Sequence, residues 1–323
     1  MTGMKVVMSV VMMGVMTCLV SSAPTSEYSE VIDGHNTTIA LAAAHQIQGT
    51  VAETVPGLLA AIIETLSQGE FDYWGEVESD VITVVGDYIN THNMDQVRVY
   101  QEDLVTLMER YLAAPEESDT YPDKNEQASA LSTSIITHRY LTEAALYPES
   151  MILHFQDISS IHALVLQDAA ETYSYPDLPP SRWWVDLSQE LDHYIAYGQH
   201  ISNSLRTNRI SLLTCHIETQ GGYDTYTAID GVTGEQSECV QLEESGSCDQ
   251  HCPLFYQHKI HEIDLFLAYK VTDVLDSWQI LKELADHYAP EASSNALYRY
   301  IVINNLNPNK QQVWLSSSLG GPR

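Results

Sequence analysis

The stretch that decides the fold reads Glu149-Ser-Met-Ile-Leu-His-Phe-Gln-Asp-Ile-Ser-Ser-Ile-His-Ala-Leu-Val-Leu-Gln-Asp168 and follows directly on Pro148. Its apolar side chains recur at steps of three and four, which predicts a helix with a wide apolar surface that neighbouring helices cover. Its polar residues make it too polar to cross a bilayer alone, because a span needs about 20 mostly apolar residues. We therefore expect it to be the central helix of a bundle, with a face formed by Met151, Phe155, Ile158, Ile161, His162, Leu164, Val165 and Leu166.

The charge of the chain is strongly negative. Its 323 residues include 14 Lys and Arg against 44 Asp and Glu, a formal net charge of −30. A nucleic-acid partner needs a basic face, so this class of function is excluded. Capture by anionic lipid through charge alone is excluded for the same reason.

The N-terminus predicts a secretory signal peptide over residues 1–23. Lys5 is the first charged side chain, an apolar run from Val6 to Val20 follows, and small residues end at Ala23. The apolar run is short for a membrane anchor. We therefore expect a secreted, extracellular protein, and the sequon at Asn36 is a candidate glycosylation site.

Cleavage near residue 23 would remove Cys18 and leave an even set of cysteines. In an oxidising compartment such a set predicts disulfides, here among Cys215, Cys239, Cys248 and Cys252. We predict the two local bridges Cys215–Cys239 and Cys248–Cys252, one of three possible connectivities. The surrounding segment, about residues 210–253, is rich in glycine and alternates like a β-hairpin.

The remaining segments predict helices separated by clear breaks. Helical patterns cover residues 40–63 with a break at Pro56-Gly57, 74–88, 97–111, 124–146, 184–205 and 260–288, and residues 298–303 have the pattern of a strand. The predicted fold class is all-α, with about seven helices over residues 37–290, a β-hairpin insert and a tail over residues 291–323.

No pattern of catalytic residues is present. A metal site is a weaker alternative: His251, Cys252, His258, His261 and Glu262 lie close together in the sequence, but their spacing matches no zinc-hydrolase motif. The sequence also has no nucleophile elbow and no phosphate-binding glycine loop. We therefore expect a protein that is not an enzyme and that binds neither metal nor cofactor.

From Trp74 to Leu205 the order of features resembles the N-terminal helical domain of the insecticidal crystal delta-endotoxins. The most specific part is Ser160-Ile-His-Ala-Leu-Val-Leu-Gln-Asp-Ala169, which is similar to the central-helix pattern of that family. Weaker agreement comes from Pro56-Gly57, a glutamate before an apolar pair at Glu78, Pro115, and the tyrosines Tyr194 and Tyr197.

This resemblance implies a bundle of about seven helices around a central one and a helical hairpin that inserts into target membranes as an oligomeric pore. By position the hairpin would span about residues 127–170 and turn at Leu146-Tyr147-Pro148. Its partners would be membrane lipid or a membrane receptor, with homo-oligomers forming on the membrane. Asp157, Ser160 and Gln167 could then face a wet lumen while the other side meets lipid.

The sequence also departs from the family pattern. Gln167 stands where the family usually has an arginine, so the resemblance implies that Asp168 lacks its ion pair. The cysteine-bearing insert is not part of the pattern, and residues after 290 are too few for the family's two β-rich domains.

Two functions follow as hypotheses. The first is a toxin-like or defence protein that permeabilises membranes, with a pH dependence because acid would neutralise many of its carboxylates. The alternative is a soluble extracellular binding or structural protein that keeps the fold without pore activity.

Overall fold

The computed structural model describes residues 39–48, 54–67, 77, 91–116, 122–143, 148–173, 181–242 and 248–294. The predicted signal peptide, the sequon at Asn36, most of the helix predicted from Trp74, the turn at Leu146-Tyr147 and the strand predicted over 298–303 lie outside these residues. The described part is mainly helical and also contains one small antiparallel sheet and two disulfide bonds. The predictions of a mostly helical chain and of disulfides are confirmed.

The first helices lie in the predicted segments. They are α1 (Ile39–Ile47), α2 (Val55–Ser67), α3 (Thr91–Ala113), α4 (Lys124–His138) and the short α5 (Tyr140–Glu143). The break predicted at Pro56-Gly57 is wrong, because both residues lie in the first turn of α2, where proline is tolerated. Helix α4 begins where the carboxylate of Asp123 accepts a hydrogen bond from the backbone N–H of Glu126 at 2.9 Å, which is the usual N-cap contact. The single helix predicted over 124–146 is interrupted at Arg139.

Helix α6 (Ile152–Thr172) carries the deciding stretch. It is preceded by a 3₁₀ turn, Pro148–Met151, which was predicted as part of the helix. Every residue of α6 from Ile152 to Leu166 is buried, and so are Asp168, Ala169 and Ala170. Helices α1, α2 and α4 all pack against it.

Helix α7 (Trp183–Ser211) shows the predicted apolar face, with Trp184, Leu187, Leu191, Tyr194, Ile201 and Leu205 buried. The C-terminal helical run is longer than the predicted one and is made of α8 (His251–Leu267), a π-helical turn at Ala268–Thr272, and α9 (Asp273–Ser294). Helices α7 and α9 approach closely at Gly198, where a Cβ atom would lie 2.6 Å from Leu275 Cδ2. A larger residue at this position would require the Leu275 side chain to move.

The insert between α7 and α8 is a three-stranded antiparallel sheet, one strand more than the predicted hairpin. Its strands are β1 (Leu213–Gln220), β2 (Tyr223–Asp230) and β3 (Gln236–Leu242), in the order β1-β2-β3. Gly221 and Gly222 join β1 to β2 with φ of 65° and 88°. Two successive positive φ values define the two-residue hairpin turn for which glycine is favoured.

The predicted disulfide pairing is wrong. The bonds join Cys215 to Cys252 and Cys239 to Cys248. In the sheet, Cys215 lies opposite Ala228 and Cys239 opposite Tyr226, so β2 separates the two cysteines that we predicted to pair. Because Cys252 lies in the first turn of α8, the bond from Cys215 fastens the sheet to that helix.

Candidate functional site: the buried polar contacts of helix α6

All the side chains predicted for the central-helix site are buried. Met151 ends the 3₁₀ turn and the others lie on α6. Phe155 meets Tyr194 of α7 and Trp278 of α9 edge to face, with ring centroids 5.8 and 6.0 Å apart. This arrangement is the favoured one for aromatic rings. The apolar side of α6 is therefore fixed by aromatic residues of the two long helices beside it.

Asp168 has an ion pair, contrary to the expectation drawn from Gln167. Lys124, the first residue of α4, places its Nζ 2.7 Å from Asp168 Oδ2, and the hydroxyl of Tyr111 on α3 donates to the same oxygen at 2.5 Å. Burial and the charge of Asp168 both raise the pKa of Tyr111, so the phenol stays protonated and remains a donor. The cation comes from another helix instead of the preceding residue, which sequence spacing does not reveal.

The polar side chains in the first half of α6 also bond to other elements. Asp157 accepts a hydrogen bond from the backbone N–H of Ala40 on α1 at 2.8 Å. Gln156 donates to the carbonyl of Val271 in the π-helical turn at 3.1 Å. Ser160 accepts from the indole N–H of Trp278 at 3.3 Å. These contacts fix the rotation of α6, because a helix turned by one residue would lose all of them.

His162 lies between two hydroxyl groups. Its Nδ1 is 2.6 Å from the hydroxyl of Tyr194 on α7, and its Nε2 is 2.9 Å from the hydroxyl of Ser132 on α4. Burial, and after it the charge of Arg139, lowers the pKa of His162 to about 3. His154, two turns earlier, is equally buried, and burial followed by the charge of Arg98 lowers its pKa to about 3. Both imidazoles are therefore neutral at pH 7.

A charged cluster borders Tyr194 where α4, α5 and α7 meet. The guanidinium of Arg139 lies over the Tyr194 ring, 5.3 Å from its centroid, and pairs with Glu190. His193 Nε2 lies 2.8 Å from Glu143 Oε1. Arg139 and Glu143 border a water-sized cavity next to Phe155. No spacing pattern in the sequence predicts this cluster.

One signal in the sequence points to Arg139 and to other ion-paired residues: basic side chains are scarce. In so acidic a chain each Lys or Arg has many possible carboxylate partners. In the structure Lys124, Arg139, Arg206, Arg209, Lys259 and Lys282 all form ion pairs. Scarcity thus marks these residues as candidates for structural pairs, although it does not reveal the partners.

The alternative metal site receives no support from the described residues. No group of three or more His, Cys, Asp or Glu side chains that could hold a metal ion occurs among them. His258 instead pairs with Glu262, four residues later on α8, at 3.3 Å. Lys259 contacts the same carboxylate at 2.8 Å. Cys252, which belongs to the same candidate set, is in a disulfide with Cys215.

Among the described residues, no helix combines the length and the apolar character that a membrane span requires. No protein-family model matches the sequence, and no curated protein matches it. The geometry around α6 is therefore the basis for a functional hypothesis.

Proposed function

We propose that this protein is a secreted, non-enzymatic helical bundle that permeabilises membranes. In this proposal about seven helices surround α6 as in the delta-endotoxin N-terminal domain, and the hairpin over about residues 127–170, built on α4 and α6, leaves the bundle and enters the bilayer as an oligomer. The two disulfides support the extracellular part of the proposal, because such bonds are typical of oxidising compartments. The site residues would be those of the α6 face together with Asp168.

The observation that carries the proposal is that α6 is buried over most of its length and yet carries many polar side chains. Paired buried polar groups add little net stability, and apolar residues of similar volume often serve a core equally well or better. A helix that only filled a core would therefore gain little from Gln156, Asp157, Ser160 and Asp168. A helix that also has to face water in a second state needs them.

The spacing of these residues fits that second state. Asp157, Ser160 and Gln167 lie at steps of three and seven, so they share one face of α6. Phe155, Ile158, Val165 and Ala169 lie on the opposite face. In an oligomer the first face would line a wet lumen and the second would meet lipid.

A direct test is dye release from vesicles. Purified mature protein with intact disulfides is added to phosphatidylcholine vesicles, with and without phosphatidylserine, from pH 4.5 to pH 9. We expect release in at least part of this range, stronger at acidic pH, where the carboxylates begin to lose their charge. Absence of release at every pH and on both vesicle types would contradict the proposal.

The lumen-facing assignment has its own test. Gln167 is half-buried and bonds to Glu171 at 2.9 Å, so Gln167→Lys is expected to fold. In a planar bilayer the added cation should shift the reversal potential of the pore towards anions. Gln189→Lys is the matched control, because Gln189 is exposed on α7, outside the hairpin. Equal reversal potentials for the two variants would place Gln167 outside the lumen.

One observation favours the alternative of a soluble extracellular binding or structural protein. The contacts of α6 reach α1, α3, α7 and α9, all outside the hairpin, so several hydrogen bonds would have to break before it could leave. Under this alternative the protein binds vesicles no better at pH 4.5 than at pH 7.5, which flotation measures together with dye release.

A further inference from the structure

The contact of His162 joins three helices that the proposed hairpin would have to separate or carry with it. Its Nε2 meets Ser132 of α4 inside the hairpin, and its Nδ1 meets Tyr194 of α7 outside it. The imidazole is fully buried. It is therefore one of the polar contacts that hold the hairpin against α7.

The direction of the two hydrogen bonds follows from the groups around Tyr194. The guanidinium of Arg139 donates to the Tyr194 hydroxyl from Nη2 at 3.5 Å and also lies over the ring. The phenol proton therefore points away from Arg139, towards Nδ1 of His162. This makes Nδ1 an acceptor and leaves Nε2 protonated, so that it donates to Ser132.

We infer that His162 is an acid-sensitive pin, which holds the hairpin of α4 and α6 closed against α7 when neutral and releases it when protonated. A doubly protonated imidazole presents an N–H to Tyr194, whose hydroxyl would then accept from two cations and lose the acceptor for its own proton. This inference rests on the proposed function only for the step after release, in which the hairpin enters the bilayer.

The surroundings offer no charge that would compensate a protonated His162. Within the described residues no carboxylate bonds to its ring, and Glu143 and Glu190 are both paired with Arg139. A protonated His162 and Arg139 would thus be two cations on either side of the Tyr194 hydroxyl, with no carboxylate left to compensate the second charge. The titratable and charged groups that act on this contact, directly or through Tyr194, are Arg139 at the end of α4, Glu143 on α5, Glu190, His193 and Tyr194 on α7, and Tyr100 on α3.

The first experiment needs no substitution. The imidazole carbon-bound protons of the mature protein are followed by NMR from pH 8 downwards. We expect the His162 signal of the closed bundle to stay at its neutral position through the range around pH 6.5 in which a free imidazole takes up a proton. A His162 signal that titrates near pH 6.5 in the closed bundle would overturn the inference.

The second experiment uses His162→Gln, because glutamine keeps one donor and one acceptor but takes up no proton. Opening is measured by hydrogen exchange of the α4 and α6 amides at pH 7.5 and pH 5, with β2 as internal reference. For a pKa of about 3 in the closed state and about 6.5 in the open state, acidification to pH 5 raises the open fraction of the wild type about 30-fold through this one group.

In His162→Gln that 30-fold contribution should disappear. His200→Gln is the matched control, because His200 is exposed on α7 and undergoes the same chemical change. It should open with acid as the wild type does. If His162→Gln opens with acid as much as the wild type, the inference is wrong. If this variant does not fold at pH 7.5, the NMR titration decides alone.

Dye release from the same vesicles separates the two proposals. If acid opens α4 and α6 through His162 but neither the wild type nor His162→Gln releases dye at any pH, the role of His162 is supported and the membrane function is contradicted. If the wild type and His162→Gln release dye with the same pH dependence, the membrane function is supported and the role of His162 is contradicted. Once in lipid, desolvation would return the imidazole to its neutral form, so a released hairpin would not carry this charge into the bilayer.

Discussion

Helix α6 and the three-stranded sheet are both held by buried polar contacts, but the contacts differ in kind. The histidine contacts of α6 depend on neutral imidazoles and hydroxyls. The sheet is held by the Cys215–Cys252 bond and by Arg209, whose two terminal nitrogens meet the carboxylate of Asp230 at 2.9 and 2.8 Å. Mild acid acts on the first set and not on the second. The chain thus combines a region that can be loosened reversibly with one that is covalently fixed.

The largest effect is expected from Arg209→Met. Asp230 is fully buried, so removal of its cation leaves a buried charge without compensation and should lower the free energy of unfolding by about 3–5 kcal/mol. Urea denaturation monitored by circular dichroism measures this. A loss below 1 kcal/mol would show that the backbone hydrogen bonds from Val232 and Thr233 to Asp230 suffice to hold the turn.

Removal of the disulfides sharpens the comparison within the sheet region. The Cys215–Cys252 bond spans a sequence separation of 37 and the Cys239–Cys248 bond one of 9. Because the longer loop restricts the unfolded chain more, the double Cys→Ala variant of the first pair should lose about 3–4 kcal/mol and that of the second about 2–3 kcal/mol. Urea denaturation of both variants checks the order, and a reversed order would contradict the unfolded-chain argument.

Acid should act on the α6 region first. The pKa values of His154 and His162 are lowered to about 3, so below pH 6.5 the unfolded chain binds protons that the folded protein does not. Stability is therefore full above pH 6.5 and falls as the pH drops towards 3. The loss is about 1.4 kcal/mol per pH unit for each histidine, or about 2–3 kcal/mol for both near pH 5.5.

The carboxylate of Asp230 affects stability only at a lower pH than the histidines do. Burial would raise the pKa of Asp230, but the hydrogen bonds from Arg209 hold it below its ordinary value of 3.8. The contribution of Asp230 to the free energy of unfolding is therefore present above pH 3.8 and is lost only below it.

The loss of stability caused by the two histidines is measured by urea denaturation at pH 7.5 and 5.5 of the wild type and of the double variant His154→Gln, His162→Gln. If the free energy of unfolding falls by the same amount between pH 7.5 and pH 5.5 in both proteins, the predicted role of the histidines is contradicted.

The smallest effect is expected from Arg206→Met, which is the matched partner of the first prediction. Arg206 lies three residues before Arg209 and also holds an aspartate with two nitrogens, at 2.6 and 3.1 Å from Asp264. Both side chains of this pair are more than 40% exposed, at 44% and 43%. Water screens the pair, so the loss should stay below about 1 kcal/mol and shrink further in 1 M salt. An effect as large as that of Arg209→Met would show that burial does not separate the two pairs.

The comparison also shows which predictions the sequence supports. Apolar side chains at steps of three and four predicted α7 and the last helical run, because that spacing has one explanation in a folded chain. The glycine-rich alternation predicted strands, but it missed β3, and it gave the wrong disulfide pairing because strand order determines which cysteines meet. The cation opposite Asp168 was missed because it comes from a residue 44 positions earlier in the chain, Lys124.

The sequence by itself determined that the chain is mainly helical, that its cysteine-bearing segment folds differently from the rest, and that α6 carries both apolar and polar residues. These properties depend on the order of neighbouring residues, which local backbone geometry converts directly into periodic faces. Only the tertiary structure decided which partner each buried polar group takes, for instance that His162 lies between Ser132 and Tyr194. Such a contact depends on the packing of separate helices, and no local pattern specifies it.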